Sequence, residues 1–205
     1  MPPSGRSRLH DFAAALAGWE WDVALLQEVP PWFPAPLAAA AAADHRLQLT
    51  SRNWLLPLRR AISVRNPDIL KSNGGGCDAI LVRGARILEH RALRLRRWPE
   101  RRWVHGVRLE HGWVVNVHSH NHPEALALAD TRRAVAAALE WAAGAPLIFG
   151  GDINLKHPPA FPGLVHLAGN HVDHIFTDGR PAAGKGQVID RGVLSDHPPV
   201  AVTLA

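Results

Sequence analysis

Three acidic patches follow one another toward the C-terminus: Gly150-Gly151-Asp152-Ile153-Asn154, Val172-Asp173-His174-Ile175-Phe176 and Ser195-Asp196-His197. Each sets a carboxylate beside a second polar group at the end of an apolar run, and Gln27-Glu28 ends an earlier run in the same way. Carboxylates and imidazoles gathered at strand ends are what a divalent cation and an activated water require. The chemistry they indicate is phosphoester cleavage.

Leu147-Ile148-Phe149 reads as a core strand, and Gly150-Gly151 lets the backbone turn tightly beyond it, so that Asp152 stands at a strand end. Asn154, two residues on, can point the same way and donate its amide to a phosphate oxygen. An Asx-turn closing the strand is the other reading of the same residues. Pro198 and Pro199 hold the backbone after Asp196-His197 extended. A histidine so fixed could act as general base or stabilise a charged pentavalent phosphorus centre. Asp173 could orient His197 by accepting its ring proton. A solvated turn is the alternative for each patch taken singly, and their occurrence in series favours the site.

The elements that must carry these residues follow from periodicity. Ser7 to Ala17 has a helical face of Leu9, Phe12, Ala13 and Leu16, with Gly18 to stop it. Asp22 to Val29 reads as a buried strand, and Leu37 to Ala43 as a short Ala-rich helix. Between 51 and 77 the only clear feature is the turn Asn73-Gly74-Gly75-Gly76. Asp78–Val82, Ile87–Leu95, Trp103–Leu109 and Trp113–His118 read as successive strands, with Glu110-His111-Gly112 as a hairpin turn. Pro123 to Ala143 is the longest helix, with Leu126, Ala129, Arg133, Val135 and Leu139 as a partly apolar stripe. Strands follow at 146–150, 171–177, 187–190 and 199–204. Two sheets packed together with helices outside are expected.

Composition bounds the rest. A chain of 205 residues with 47% apolar and 20% charged residues fits one soluble domain, 1–205. Its net charge of +5 mildly favours anionic partners. Lys occurs three times and Tyr not at all, a bias that makes part of the arginine excess compositional. The single cysteine, Cys77, excludes an intramolecular disulfide framework and reads as a buried structural thiol. No run approaches the ~18 apolar residues of a membrane helix, and Met1 to Arg6 is not followed by a signal-peptide core. A cytoplasmic monomer is expected.

Gln27-Glu28, Gly151-Asp152-Ile153-Asn154, Val172-Asp173-His174-Ile175-Phe176 and Ser195-Asp196-His197 resemble, in order, the motifs of the endonuclease/exonuclease/phosphatase superfamily, the fold of deoxyribonuclease I and the abasic-site endonucleases. The match runs from about Arg8 to the C-terminus. The resemblance implies an α+β, four-layer α/β/β/α sandwich. It implies that Glu28 binds Mg²⁺, with Asp196 as a nearby acidic ligand. Asp152 would position or deprotonate the attacking water, and Asn154 would bind the scissile phosphate. His197, oriented by Asp173, would stabilise the transition state. His118 would be a second active-site residue, and Asn121 a phosphate-binding amide. Oxygen ligands suit Mg²⁺ or Mn²⁺, and the implied activity is that of a Mg²⁺-dependent phosphodiesterase or nuclease acting on a phosphoester, DNA and RNA included. A phosphatase of small phosphoesters or lipid head groups, or a catalytically impaired binding relative, is the alternative. The family's first strand ends in Asn, whereas here no Asn precedes Asn53. The expectation is a fold without that strand, with an upstream start and open edges on neighbouring strands.

His118, His120 and His122 alternate, which on a strand would offer a zinc site. The alternation faintly resembles the His-x-His motif of metallo-β-lactamase-like hydrolases, but Pro123-Glu124 stands where the following Asp-His pair would be. The favoured reading keeps His118 as catalytic and puts His120 and His122 on the rim. Arg91, Arg94, Arg96, Arg97, Arg101 and Arg102 crowd around Trp98 and Trp103. Arg96 and Arg97 are the candidate contacts to a nucleic-acid backbone. Arg stems lying over apolar surface are the alternative. The remaining tryptophans read mostly as core.

Overall fold

The computed structural model describes residues 6–51, 53–66, 69 and 76–205. Asn73-Gly74-Gly75 of the expected turn lie outside them. The backbone gathers into two compact units, Met1–Ile87 with Gly192–Asp196, and Leu88–Arg191 with His197–Ala205. No helix among the described residues is long and apolar enough to cross a membrane.

The first unit runs α1 (Leu9–Gly18), β1 (Val23–Val29), α2 (Pro34–Ala40), β2 (Ala43–Leu49), α3 (Leu56–Arg65) and β3 (Cys77–Arg83). Its strands form an antiparallel sheet in the order β1-β3-β2. The middle strand is buried from Cys77 to Val82, which is why it reads as an apolar run. The predicted face of α1, Leu9, Phe12, Ala13 and Leu16, packs with Phe33, Leu37 and Leu81. Cys77 is buried, and burial together with the Asp78 carboxylate pushes its thiol pKa up. The expected helix at 37–43 ends at Ala40, and Ala43 onward is strand. Ala-Asp-His-Arg-Leu-Gln-Leu has no clean alternation, and its state is set by pairing with β3 from Ala43–Arg83 to Leu49–Cys77.

Arg83 ties this unit together. It donates to Leu16 O (3.0 Å) and Trp19 O (3.2 Å) at the end of α1, and to Ala41 O (3.0 Å) at the end of α2. Its guanidinium also lies 4.2 Å from the ring centre of Trp21. A cation at two helix C-termini is favourable both as donor and as charge.

The second unit contains β4 (Glu89–Arg96), β5 (Arg102–Leu109), β6 (Gly112–His118), α4 (Glu124–Ala142), β7 (Leu147–Asp152), β8 (Val165–Asn170) and β9 (Asp173–Thr177), and the short pair β10 (Gln187–Val188) and β11 (Val200–Ala201). Among the described residues the main sheet has the order β4-β5-β6-β7-β9-β8. The predicted β5–β6 hairpin is present. β6 and β7 run parallel, with α4 as the crossover such a pair needs. β8 was not expected, because Gly169 and two short apolar stretches give it little pattern of its own.

The buried face of α4 is broader than the expected stripe: Ala127, Asp130, Thr131, Ala134, Val135, Ala137, Ala138 and Ala142. Of the expected residues Val135 is buried, Leu126 and Leu139 are half-buried, and Ala129 and Arg133 are exposed. Alanines allow the helix to approach closely a sheet already filled by Trp113, Val115, Val117 and Phe149. Of the tryptophans expected in the core, Trp113 is buried and Trp19, Trp21, Trp32 and Trp141 pack against the apolar clusters, while Trp54 stands in solvent.

Arg83→Met should keep the stacking volume and lose the carbonyl bonds. A loss of roughly 2–3 kcal/mol is expected in urea unfolding, with α1 and α2 the first segments to lose amide protection in hydrogen exchange.

Candidate active site

The register of the large sheet sets three functional side chains in one row. His118 on β6 pairs with Asp152 on β7, and Asp152 pairs with Asp173 on β9. Paired residues of adjacent strands project from the same face. His118 Nε2 lies 3.7 Å from Asp152 Oδ2, and His197 Nδ1 lies 3.9 Å from Asp152 Oδ2 and 3.0 Å from Asp173 Oδ2. The sequence-predicted Asp152, Asp173, His118 and His197 therefore meet at one point.

Electrostatics there follow from burial. Asp152 is 7% exposed. Desolvation and the neighbouring Asp173 carboxylate raise its pKa to about 7, against the opposing pull of the Asn154 N–H, His197 and Arg102. His118 is held well below the usual histidine range, first by burial and then by the positive charges of Arg102 and His197. It is a neutral imidazole at physiological pH.

Asn154 forms the Asx-turn that is one of its two sequence readings. Its backbone N–H donates to Asp152 Oδ1 (2.9 Å), which is the Asx-turn, and its φ of 54° is the left-handed conformation that Asn tolerates. Its side-chain amide donates to Ser119 O (3.0 Å), which ties the turn after β7 to the turn after β6. Ser119 N–H in turn donates to Asp152 O (2.9 Å), and Ser119 Oγ pairs with Thr131 Oγ1 on α4 (2.9 Å).

Arg102 is the residue that sequence reasoning placed in the wrong role, within a nucleic-acid run. It is buried, donates to Glu100 Oε2 (2.8 Å), and its Nη1 lies 2.8 Å from both ring nitrogens of His118. The hairpin could have located it: Val104 pairs with Val117, so the start of β5 lies beside the end of β6.

Several expectations are corrected. Arg96 is paired with Asp130 of α4 through bonds of 2.9 and 3.2 Å, because buried Asp130 needs a cation. Arg97 is exposed. Arg91 and Arg94 lie over Trp113 and Trp103, as the stem-on-apolar-surface reading expects. His120 is buried rather than on a rim, its N–H donating to Asp130 Oδ2 (3.3 Å), and the backbone leaves the strand after His118. Asn121 is exposed and its Oδ1 accepts from His122 N–H (2.8 Å).

Among the described residues, Asp152, Asp173 and His197 are the group whose ligand atoms lie close enough together to hold a cation, all within 4.8 Å of one another. Two acids in contact favour a positive charge between them, and the donor set fits a divalent ion. No such group includes His118, His120 and His122, the alternative zinc site.

Glu28 and Asp196 belong to the first unit. Glu28 is exposed, with φ 54°, where the β1–β3 ladder shifts between Leu26 and Val29, and its N–H lies 3.4 Å from Asp78 Oδ1. A bulge re-aims the side chain it carries, and a left-handed Glu is strained. Asp196 is exposed.

Asp152 gives a pH signature. Its folded pKa lies above the unfolded value of 3.8, so the folded state binds the extra proton between about pH 4 and 7, and stability falls as pH rises through that window. With a chelator present, Asp152→Asn should stabilise the protein at pH 8, by about 2 kcal/mol given ~1.4 kcal/mol per unit of displacement and relief of part of it by Asp173. At pH 4 its melting temperature should match wild type.

No protein-family model matches the sequence, and no curated protein matches it either. Solved structures do. A mannosyl-6-phosphatase from Bacteroides thetaiotaomicron is similar with a TM-score of 0.72 at 16% identity, over 97% of this chain and 90% of that one. TDP2 from Caenorhabditis elegans is similar with a TM-score of 0.68 at 18% identity, over 98% and 71%. An endonuclease/exonuclease/phosphatase from Bacteroides vulgatus is similar with a TM-score of 0.70 at 14% identity, over 97% and 90%. These likenesses show the fold: the chain has the deoxyribonuclease I-like α+β fold shared by these structures.

Proposed function

We propose that this protein is a metal-dependent phosphoester hydrolase of the phosphodiesterase or nuclease type. The observation that carries the reading is the row His118–Asp152–Asp173 with His197 against both carboxylates. The carboxylate of Asp152, with a pKa near 7, is matched to taking a proton from water at physiological pH. Asp173 orients His197, which faces the phosphoryl oxygens. Neutral His118, held by Arg102, closes one side of Asp152, and Asn154 holds the turn that aims Asp152. When bound, Mg²⁺ or Mn²⁺ would polarise the phosphoryl group and stabilise the leaving oxygen. Asp152, Asp173 and His197 would be its holders by donor chemistry; the family resemblance names Glu28 and Asp196. We assign the protein to the cytoplasm as a monomer.

Nucleic acid is the preferred substrate class. Arg97 and Trp98, the latter 80% exposed, lie just before Glu100 and Arg102 in the chain, and a cation beside an exposed aromatic ring suits a phosphate beside a base. A phosphomonoester is the second reading, favoured by the likeness to a mannosyl-6-phosphatase.

Hydrolysis of bis-p-nitrophenyl phosphate should require Mg²⁺ or Mn²⁺ and stop in EDTA. Asp152→Asn and His197→Ala should each reduce kcat about 10²-fold or more. Near-wild-type rates in either variant would break the assignment. Arg97→Glu with Trp98→Ala should raise KM for plasmid or abasic DNA and leave bis-p-nitrophenyl phosphate unchanged. Faster turnover of the mono- than the bis-ester would favour the second reading, and DNA binding without turnover would mark an impaired relative.

A further inference from the structure

Helix α3 carries apolar residues on both faces: Leu56 and Ile62 are half-buried, and others stand in solvent. Ser63 is buried, its Oγ without a hydrogen-bond partner among the described residues, while Leu58 (55%) and Val64 (56%) are exposed. Trp54 (69%) and Leu55 (56%), just ahead of the helix, and Ile69 (66%), just beyond it, are exposed as well. From Trp54 to Ile69 the sequence carries Arg59, Arg60 and Arg65 against one acid, Asp68. The Arg59 guanidinium lies 6.0 Å from the ring centre of Trp54.

We propose that α3 and the Trp54-Leu55 turn dock the protein onto an anionic phospholipid surface. Aliphatic tips with an interfacial Trp would enter the headgroup boundary, and the exposed Arg60 and Arg65 would meet the lipid phosphates. Charge selects this occupant over others. A second copy laid on the same face would bring like charge against like, since the arginines of the stretch outnumber its one acid three to one. A nucleic acid would use the cations and leave Leu58 and Val64 in water. An exposed apolar cluster of this kind marks an interaction site in a soluble protein.

The test is co-sedimentation of the whole chain with phosphatidylcholine vesicles, with and without phosphatidylglycerol. Binding is expected to the anionic vesicles and to weaken with salt. Leu58→Ser with Val64→Ser should lower the partition coefficient about tenfold, and Arg60→Glu about fivefold or more, with melting curves unchanged because the replaced groups are exposed. Absence of binding, or equal binding by the Leu58/Val64 double variant, would overturn the proposal. So would a wild-type dimer that the double variant dissociates in sedimentation equilibrium, or duplex DNA that outcompetes vesicles for Arg60. The readout is partition, so it applies equally to Asp152→Asn, and its failure would leave the phosphoester reading untouched.

Discussion

Asp152 and Asp173 face each other at the ends of paired strands, one of them almost wholly out of water. Two carboxylates so placed repel, and burial removes the solvent that would screen them. The surroundings offset this. His197 lies against both, Arg102 contributes positive charge from behind His118, and Asn154 gives Asp152 a backbone N–H. The turns after β6 and β7 are bonded to each other and to α4 so that these partners stay in place. A site that keeps an acid poorly solvated is ready to accept a cation or a proton, and both belong to phosphoester hydrolysis.

Four of the arginines serve the fold itself. Arg83 serves carbonyls at the ends of two helices, Arg96 neutralises Asp130, Arg102 braces His118, and Arg133 donates to Leu95 O (3.0 Å). With almost no lysine available, the chain uses the planar guanidinium, whose several donors can reach several carbonyls at once. The positive net charge is therefore a poor guide to where a substrate would bind.

The legible parts of the fold were those whose pattern is local. α1 shows its buried face in the sequence, and β1, β3, β6 and β7 are apolar runs because one or both of their faces are covered. β2 and β8 owe their state to the strand beside them, and α3 has apolar residues on both faces, so periodicity misreads or misses all three. In the site, Asp152, Asp173, His118 and His197 could be picked out because each ends an apolar run or sits in a short recurring pair. Arg102 carries no such local mark and could be located only by working out the register of the hairpin, and the commitment of Arg96 depends on an aspartate thirty-odd positions away on a helix. His120 followed His118 in the alternation, but the chain leaves the strand between them.

The parallel pairing of β6 and β7, with α4 spanning the interval, has a kinetic consequence. A hairpin closes a short loop, whereas this pair requires the whole crossover helix to form and settle before His118 can come level with Asp152. Early helix and hairpin formation would leave the two side chains apart. The histidine would still be solvated and the aspartate would still ionise as an ordinary acid, so the raised pKa of Asp152 belongs to the chain with its crossover in place.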